Sequence, residues 1–235
     1  MIEIKNLTKK YGEKYAVNNL SLKINDGEIL AFIGHNGAGK TTTIKCLMGI
    51  IEFDEGDILI DGKSIKEKPI ECKKIMAYVP DNPDLYDNLK AIEFVNFICD
   101  IYEVPLEKRK ERIEKYSKLF EIDTELNNPI SSYSHGMKQK IALIAALCHD
   151  PKILVMDEPF VGLDPEAVFN MKQIMKDLCS EGKIVFFSTH ILDVAEKLCD
   201  KVAIIKNGKL VKVGTMKEVK GDSSLESVFL ELDKE

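Results

Sequence analysis

Four short and nearly uninterrupted apolar runs organise this chain, at residues 28–33, 75–79, 153–156 and 184–187. Each is too short for a helix and stops at Gly, Pro, Ser or charge, which is the pattern of strands buried on both faces. Helical periodicity separates them, at residues 41–48 before Gly49, through most of 88–149, at 165–179 and at 191–198. Strands alternating with helices predict a parallel sheet covered by helices. The chain opens differently. Residues 2–7 and 15–24 read as strands around a turn at Tyr11-Gly12-Glu13-Lys14, and Asn25-Asp26-Gly27 reads as a hairpin-type turn into the first apolar run. Another strand pair carries Asp61-Gly62 at its turn, and residues 202–205 and 209–213 flank Asn207-Gly208, a strong hairpin signal. A last helix over 224–232 sets Leu225, Val228, Phe229 and Leu232 at helical spacing. The stretch 84–149 has helical period, charged faces and no clear strand. It is read as a helical subdomain inserted into a core built from residues 1–83 and 150–235 of a single domain.

Composition narrows the function. The 235 residues, 45% hydrophobic, can bury a full α/β core. A net charge of −6 argues against a nucleic-acid partner, which calls for a basic face. The six cysteines form no C-x-x-C pair, so they read as reduced, buried thiols rather than disulfides or a zinc site. Residues 1–5 lack a signal-peptide core. The longest uncharged apolar run, 141–148, falls far short of the ~18 residues that cross a bilayer, so any membrane link runs through a partner.

The chemistry begins where the first apolar run ends. Gly34-His35-Asn36-Gly37-Ala38-Gly39-Lys40-Thr41 fits G-x-x-x-x-G-K-[ST] between a strand and a helix. Glycines let the backbone turn its N–H groups toward a phosphate chain, and the helix N-terminus adds its positive dipole end. Lys40 can reach the β- and γ-phosphates and the Thr41 hydroxyl can ligate Mg²⁺. A dinucleotide fingerprint would need a third glycine at position 42, which is Thr42. The expected fold is therefore α/β, a P-loop NTPase (RecA-like) core with an antiparallel N-terminal β-subdomain and an inserted α-helical subdomain. Residues 153–156 lead into Asp157 and Glu158 at a strand C-terminus, the ligand face of a parallel sheet. Asp157 would approach the Mg²⁺ and Glu158 would polarise the attacking water. Ser188-Thr189-His190 ends the next strand, so His190 should share that edge with Glu158.

Tyr133-Ser134-His135-Gly136-Met137-Lys138-Gln139-Lys140 opens a helix with Ser134 as its N-cap. This resembles the L-S-G-G-Q signature of ATP-binding-cassette (ABC) ATPases, and the resemblance spans nearly the whole chain. Tyr11 resembles the aromatic that stacks on adenine. Residues 34–41 and 153–158 resemble Walker A and B, Gly162-Leu163-Asp164 the D-loop, and His190 the switch histidine. The resemblance implies ATP and Mg²⁺ as ligands and a head-to-tail pair of nucleotide domains, here a homodimer. The nucleotide would be held by Tyr11, by Gly34 through Thr41, and by Thr42. From the second copy, Ser134, His135, Gly136, Met137 and Asp164 would complete the site. It also implies a separate transmembrane permease and a place on the inner face of the cell membrane. The surface formed by residues 81–97, with Leu85, Tyr86, Ile92, Phe94 and Phe97, is the expected docking site.

Two departures matter. The family's usual Gln after residues 78–80 is Asp81, and neither Gln139 nor Gln173 can replace it. A shorter, anionic Asp81 could still reach Mg²⁺ through a water, so Asp81 joins Thr41 and Asp157 as a metal candidate and Glu158 and His190 as a catalytic one. The signature carries His135 for Gly and Met137 for Gln. Together with D-E-P-F-x-G-L-D-P and the stretch 225–232, these features are similar to the ATPases of Ecs-type and ABC-2-type exporters. The competing reading is a soluble ABC ATPase acting on ribosomes or DNA. Those typically carry paired cassettes, coiled coils or zinc inserts, none of which this sequence has. A GTPase would need N-K-x-D, which is also absent.

Overall fold

The computed structural model describes residues 1–234. β1 (Ile2–Tyr11) and β2 (Lys14–Ile24) pair antiparallel, and β3 (Ile29–Ile33) follows in a second sheet. After the Gly-rich loop come α1 (Lys40–Leu47), β4 (Glu55–Ile60), β5 (Lys63–Ser64), α2 (Pro69–Lys73) and β6 (Met76–Val79). The middle of the chain supplies α3 (Ala91–Ile101), α4 (Leu106–Leu119) and α5 (His135–Cys148). The rest is β7 (Ile153–Asp157), α6 (Pro165–Ser180), β8 (Ile184–Thr189), α7 (Leu192–Leu198), β9 (Lys201–Lys206), β10 (Lys209–Thr215), α8 (Met216–Lys220) and α9 (Leu225–Lys234). One sheet runs β2-β1-β4-β5 and is antiparallel. The other runs β10-β9-β3-β8-β7-β6, parallel except for the β9–β10 hairpin.

The apolar runs are strands because both of their faces are covered. Along β3, Ile29, Ala31 and Ile33 join the core under the helices, while Leu30 and Phe32 join the core between the two sheets. β7, β8 and β9 divide their side chains in the same alternation, as the period of two requires. The helical stretch contributes α3–α5 to the first of these cores, so it packs directly on the parallel sheet.

The expected hairpin at Asn25-Asp26-Gly27 is corrected. This turn carries the chain from one sheet to the other, because β2 pairs with β1 while β3 pairs with β8 and β9. β3 is apolar on both faces and needs cover on each, which a place beside β2 at the edge of the small sheet would not provide. Gly27 holds φ +78° and its N–H donates to Lys183 O at 3.1 Å. The Asn207-Gly208 turn does close a hairpin, with φ +49° and +77° as a type I′ turn demands. Two short helices, α2 and α8, lay outside the sequence pattern. The cysteines are all free thiols, and only Cys179 is less than fully buried.

Under the α3–α5 pair, Tyr102 and His149 stack at 3.7 Å with planes 8° apart. Burial pushes the His149 pKa down to about 4 from 6.5, against the pull of Asp150. The folded chain therefore binds fewer protons than the unfolded chain between those values, so stability rises with pH across that window and is lost on acidification. His149→Phe, which keeps the stack, should remove ~2–3 kcal/mol of this acid sensitivity. Thermal melts of both proteins from pH 7 to 4 test this, and parallel pH profiles would contradict it.

Candidate nucleotide site

The loop between β3 and α1 is shaped by two glycines that no other residue could replace. A Cβ on Gly34 would lie 2.6 Å from Ile205 O, and one on Gly39, whose φ is +111°, would lie 2.4 Å from Ala16 O. The loop is thus pressed against β9 and β2, and Gly208 N–H donates to Ala38 O at 2.8 Å. α1 has Gly39 at its N-cap, with no side-chain cap and no acidic residue in its first turn. Its first N–H groups are left for an anion. Lys40 is buried, and its Nζ donates to Gly34 O at 2.6 Å and stands 3.5 Å from Glu158 Oε1. A cleft of about 330 Å³ opens over this loop, walled by Tyr11, Lys14, His35, Asn36, Gly37, Gly39, Lys40, Thr41, Thr42, Asp81, Asp157 and Glu158.

The two carboxylates at the end of β7 do different things. Parallel pairing sets Asp157 beside Ser188 of β8, and the Ser188 hydroxyl donates to Asp157 Oδ1. Asp157 Oδ2 is buried and has no hydrogen-bond partner among the described residues. A buried carboxylate oxygen without a partner carries a desolvation cost that a hard cation would offset, so the donor set fits Mg²⁺. Glu158 leaves the strand at φ +48°, held there by N–H bonds to Ser188 O and Oγ at 3.2 and 3.1 Å. Strained non-glycine backbone of this kind persists where the surroundings over-determine it. The turn aims the Glu158 carboxylate between Lys40 and the His190 ring, whose Nδ1 lies 2.9 Å from Glu158 Oε2. Asp81 completes the edge. Burial, then the charges of Asp157 and Glu158, push its pKa above the usual carboxylate value, while His135 and His190 pull the other way.

Ser134, His135, Gly136, Met137 and Asp164 do not line the cleft. Ser134 Oγ caps α5 by accepting from Met137 N–H at 3.3 Å. Gly136 approaches Gly162 so closely that a Cβ would lie 2.5 Å from Gly162 O, and the His135 ring rests on the Gly162 Cα. Lys140 Nζ pairs with Asp164 at 2.7 Å, and Asp164 caps α6 by accepting from Ala167 N–H at 2.8 Å. Those two contacts hold the Asp164 carboxyl below its usual pKa. The signature helix and the following loop thus form one clamp, outside the cleft of the same chain. Ser188 escaped the sequence reading as a site residue, although its place one position before Thr189-His190 on a buried strand was the available signal.

The sequence model of the ABC transporter family matches residues 17–161. The chain belongs to the ABC transporter family. It is 33% identical over its whole length to the ABC-type transporter ATP-binding protein EcsA of Bacillus subtilis (strain 168), of which it covers 97%. It is 33% identical to linearmycin resistance ATP-binding protein LnrL of the same organism, over 92% of this chain and 69% of that one. Among solved structures, an ATP-binding subunit of an ABC transporter superposes at a TM-score of 0.95 with 31% identity, covering 99% of each chain. The dimeric post-hydrolysis structure of the cassette MJ0796, bound to ADP and phosphate, superposes at 0.84 with 26% identity, over 92% of this chain and 99% of that one. As an ABC ATPase subunit, the chain binds and hydrolyses ATP, and its fold is the P-loop NTPase α/β fold with two sheets. Against the family pattern, the position usually held by Gln is Asp81, an exposed residue at the edge of the cleft.

Proposed function

We propose that this ABC ATPase drives export through a separate membrane-spanning permease, and that two copies close on ATP to do so. The observation that carries the permease reading is an apolar surface with nothing over it. A groove of about 350 Å³ lies between α3, α5 and the loop at Pro80–Leu85. Beside it Tyr86 and Phe97 are 58% and 43% exposed, with Ile50 and Ile101 also exposed. Contiguous exposed apolar surface of this kind marks an interaction site. Among the described residues no helix is long and apolar enough to cross a membrane, and we read this chain as lying against a separate permease on the inner face of the membrane. Export rests on the resemblance of the signature, of residues 157–165 and of the stretch 225–232 to the ATPases of Ecs-type and ABC-2-type exporters. We read the segment 84–149 as the unit that carries the docking surface.

In this reading Lys40 and the open N–H groups of α1 hold the β- and γ-phosphates, with Tyr11 against the adenine. Thr41, Asp157 and Asp81 would hold Mg²⁺, which supplies neutralising charge at the phosphates. Glu158 orients the attacking water and accepts its proton, with His190 fixing the carboxylate. The clamp of Ser134, His135 and Gly136 does not line its own cleft, and in this reading it serves the cleft of the second copy, where a capped helix N-terminus attracts the γ-phosphate. Affinity purification of the tagged protein from detergent-solubilised native membranes, with mass spectrometry, tests the proposal. A stoichiometric multi-span protein lacking its own ATPase is expected. Ribosomal or DNA-repair proteins in its place would overturn the permease and favour a soluble role.

A further inference from the structure

We propose that Phe229 on the C-terminal helix α9 is a positioning residue for nucleotide binding, acting on the phosphate loop through His35. This rests on the assignment of residues 34–41 as that loop. The Phe229 and His35 rings meet with centroids 4.7 Å apart and planes at 52°. This is the tilted geometry in which aromatic pairs attract beyond their buried area. The space between α9 and β9–β10 around this contact is about 10 Å³, room for no more than one water. The contact is therefore a packed joint and not a ligand pocket.

The loop needs such a joint at this point. Gly34 is pinned by Ile205, and Ala38 by the N–H of Gly208. Between them the chain passes through exposed His35, Asn36 and Gly37, the last at φ +79°. His35 O is one of the carbonyls facing Lys40 Nζ, at 3.4 Å. A shift of His35 therefore moves the lysine and the N–H groups that must meet the phosphates. Preorganised donors bind more tightly because their ordering is not charged against the ligand.

α9 is itself held firmly enough to act as a strut. Leu225 is fully buried, and its N–H donates to Glu196 Oε2 at 2.9 Å. Glu196 also pairs with Lys220 at 2.6 Å. At the other end of α9, Lys206 Nζ donates to Leu232 O at 2.9 Å. Glu196 lies on α7, the helix that follows His190. The C-terminal helix thus bridges the element after His190 and the first half of the phosphate loop, two regions that nucleotide must bring into register.

Titration with MgADP and MgATP, read by calorimetry, tests the inference. Phe229→Leu keeps the apolar volume that anchors α9 but loses the ring. It should weaken both nucleotides about two- to tenfold, with a melting temperature near wild type. In steady-state hydrolysis the loss should appear in KM while kcat holds, as expected for a contact used equally in ground and transition states. Phe229→Tyr should restore wild-type affinity. His35→Ala should weaken binding by a similar factor, and the double variant should be no weaker than His35→Ala alone. Wild-type affinity in Phe229→Leu, or fully additive losses in the double variant, would overturn the joint while leaving the phosphate loop in place. A wild-type protein that binds neither nucleotide would overturn the loop assignment and the joint together.

Discussion

Glu158→Gln should bind ATP at least as well as the wild type and hydrolyse it about 10²- to 10⁴-fold more slowly, the range for loss of a positioned general base. The amide keeps the size of the side chain and can still accept from the His190 backbone N–H, which lies 3.3 Å from Oε2. It cannot take a proton. Removing one negative charge near the phosphates also favours the ATP-bound state, because Glu158 now stands 3.5 Å from Lys40 and competes with nucleotide for it. ATP-bound dimers should therefore accumulate. Phosphate release and light scattering after size exclusion with ATP measure the two effects. Full turnover by this variant would remove Glu158 from the role of base and leave His190 or Asp81 to be tested in its place.

Lys40→Ala should lose nucleotide affinity by about 10- to 150-fold, the worth of one or two charge-assisted hydrogen bonds, and hydrolysis should fall with it. Lys40 is 7% exposed, and its ammonium sits among the carbonyls of Gly34 and His35 and the carboxylate of Glu158. Without it, Asp157 and Glu158 face the phosphates uncompensated, and the loss in affinity includes that repulsion. A calorimetric ATP titration measures it. Unchanged affinity, in a variant whose circular dichroism matches wild type, would contradict the phosphate-loop reading.

Much of the site is legible along the chain because its parts are local. The run from Gly34 to Thr41 needs a strand behind it, a helix ahead and glycines between, and all of these lie within one stretch. Glu158 and His190 are a different case. Their meeting depends on β7 and β8 pairing in parallel, with Asp157 opposite Ser188. Sequence placed both at strand ends, but their 2.9 Å contact and the φ +48° turn of Glu158 come from the sheet. The same sheet gave Ser188 its role and left Asp157 Oδ2 without a partner.

The misread turn at Asn25-Asp26-Gly27 has a related cause. Turn chemistry is local and was read correctly as a turn, whereas the choice of sheet for the next strand depends on which faces remain to be covered. The clamp between His135-Gly136 and Gly162 likewise depends on two loops meeting, although each motif was plain by itself. The sequence alone determined the order of the main strands and helices, the Gly-rich loop between β3 and α1, the paired carboxylates after β7 and the family, because these depend on residue type and spacing over a few turns of chain. Tertiary structure alone decided the charge partners of Glu158, the packing of His135 and Gly136 on Gly162, and the contact of Phe229 with His35. Each of those requires distant segments to be packed against one another, and the energy of that packing belongs to no single stretch.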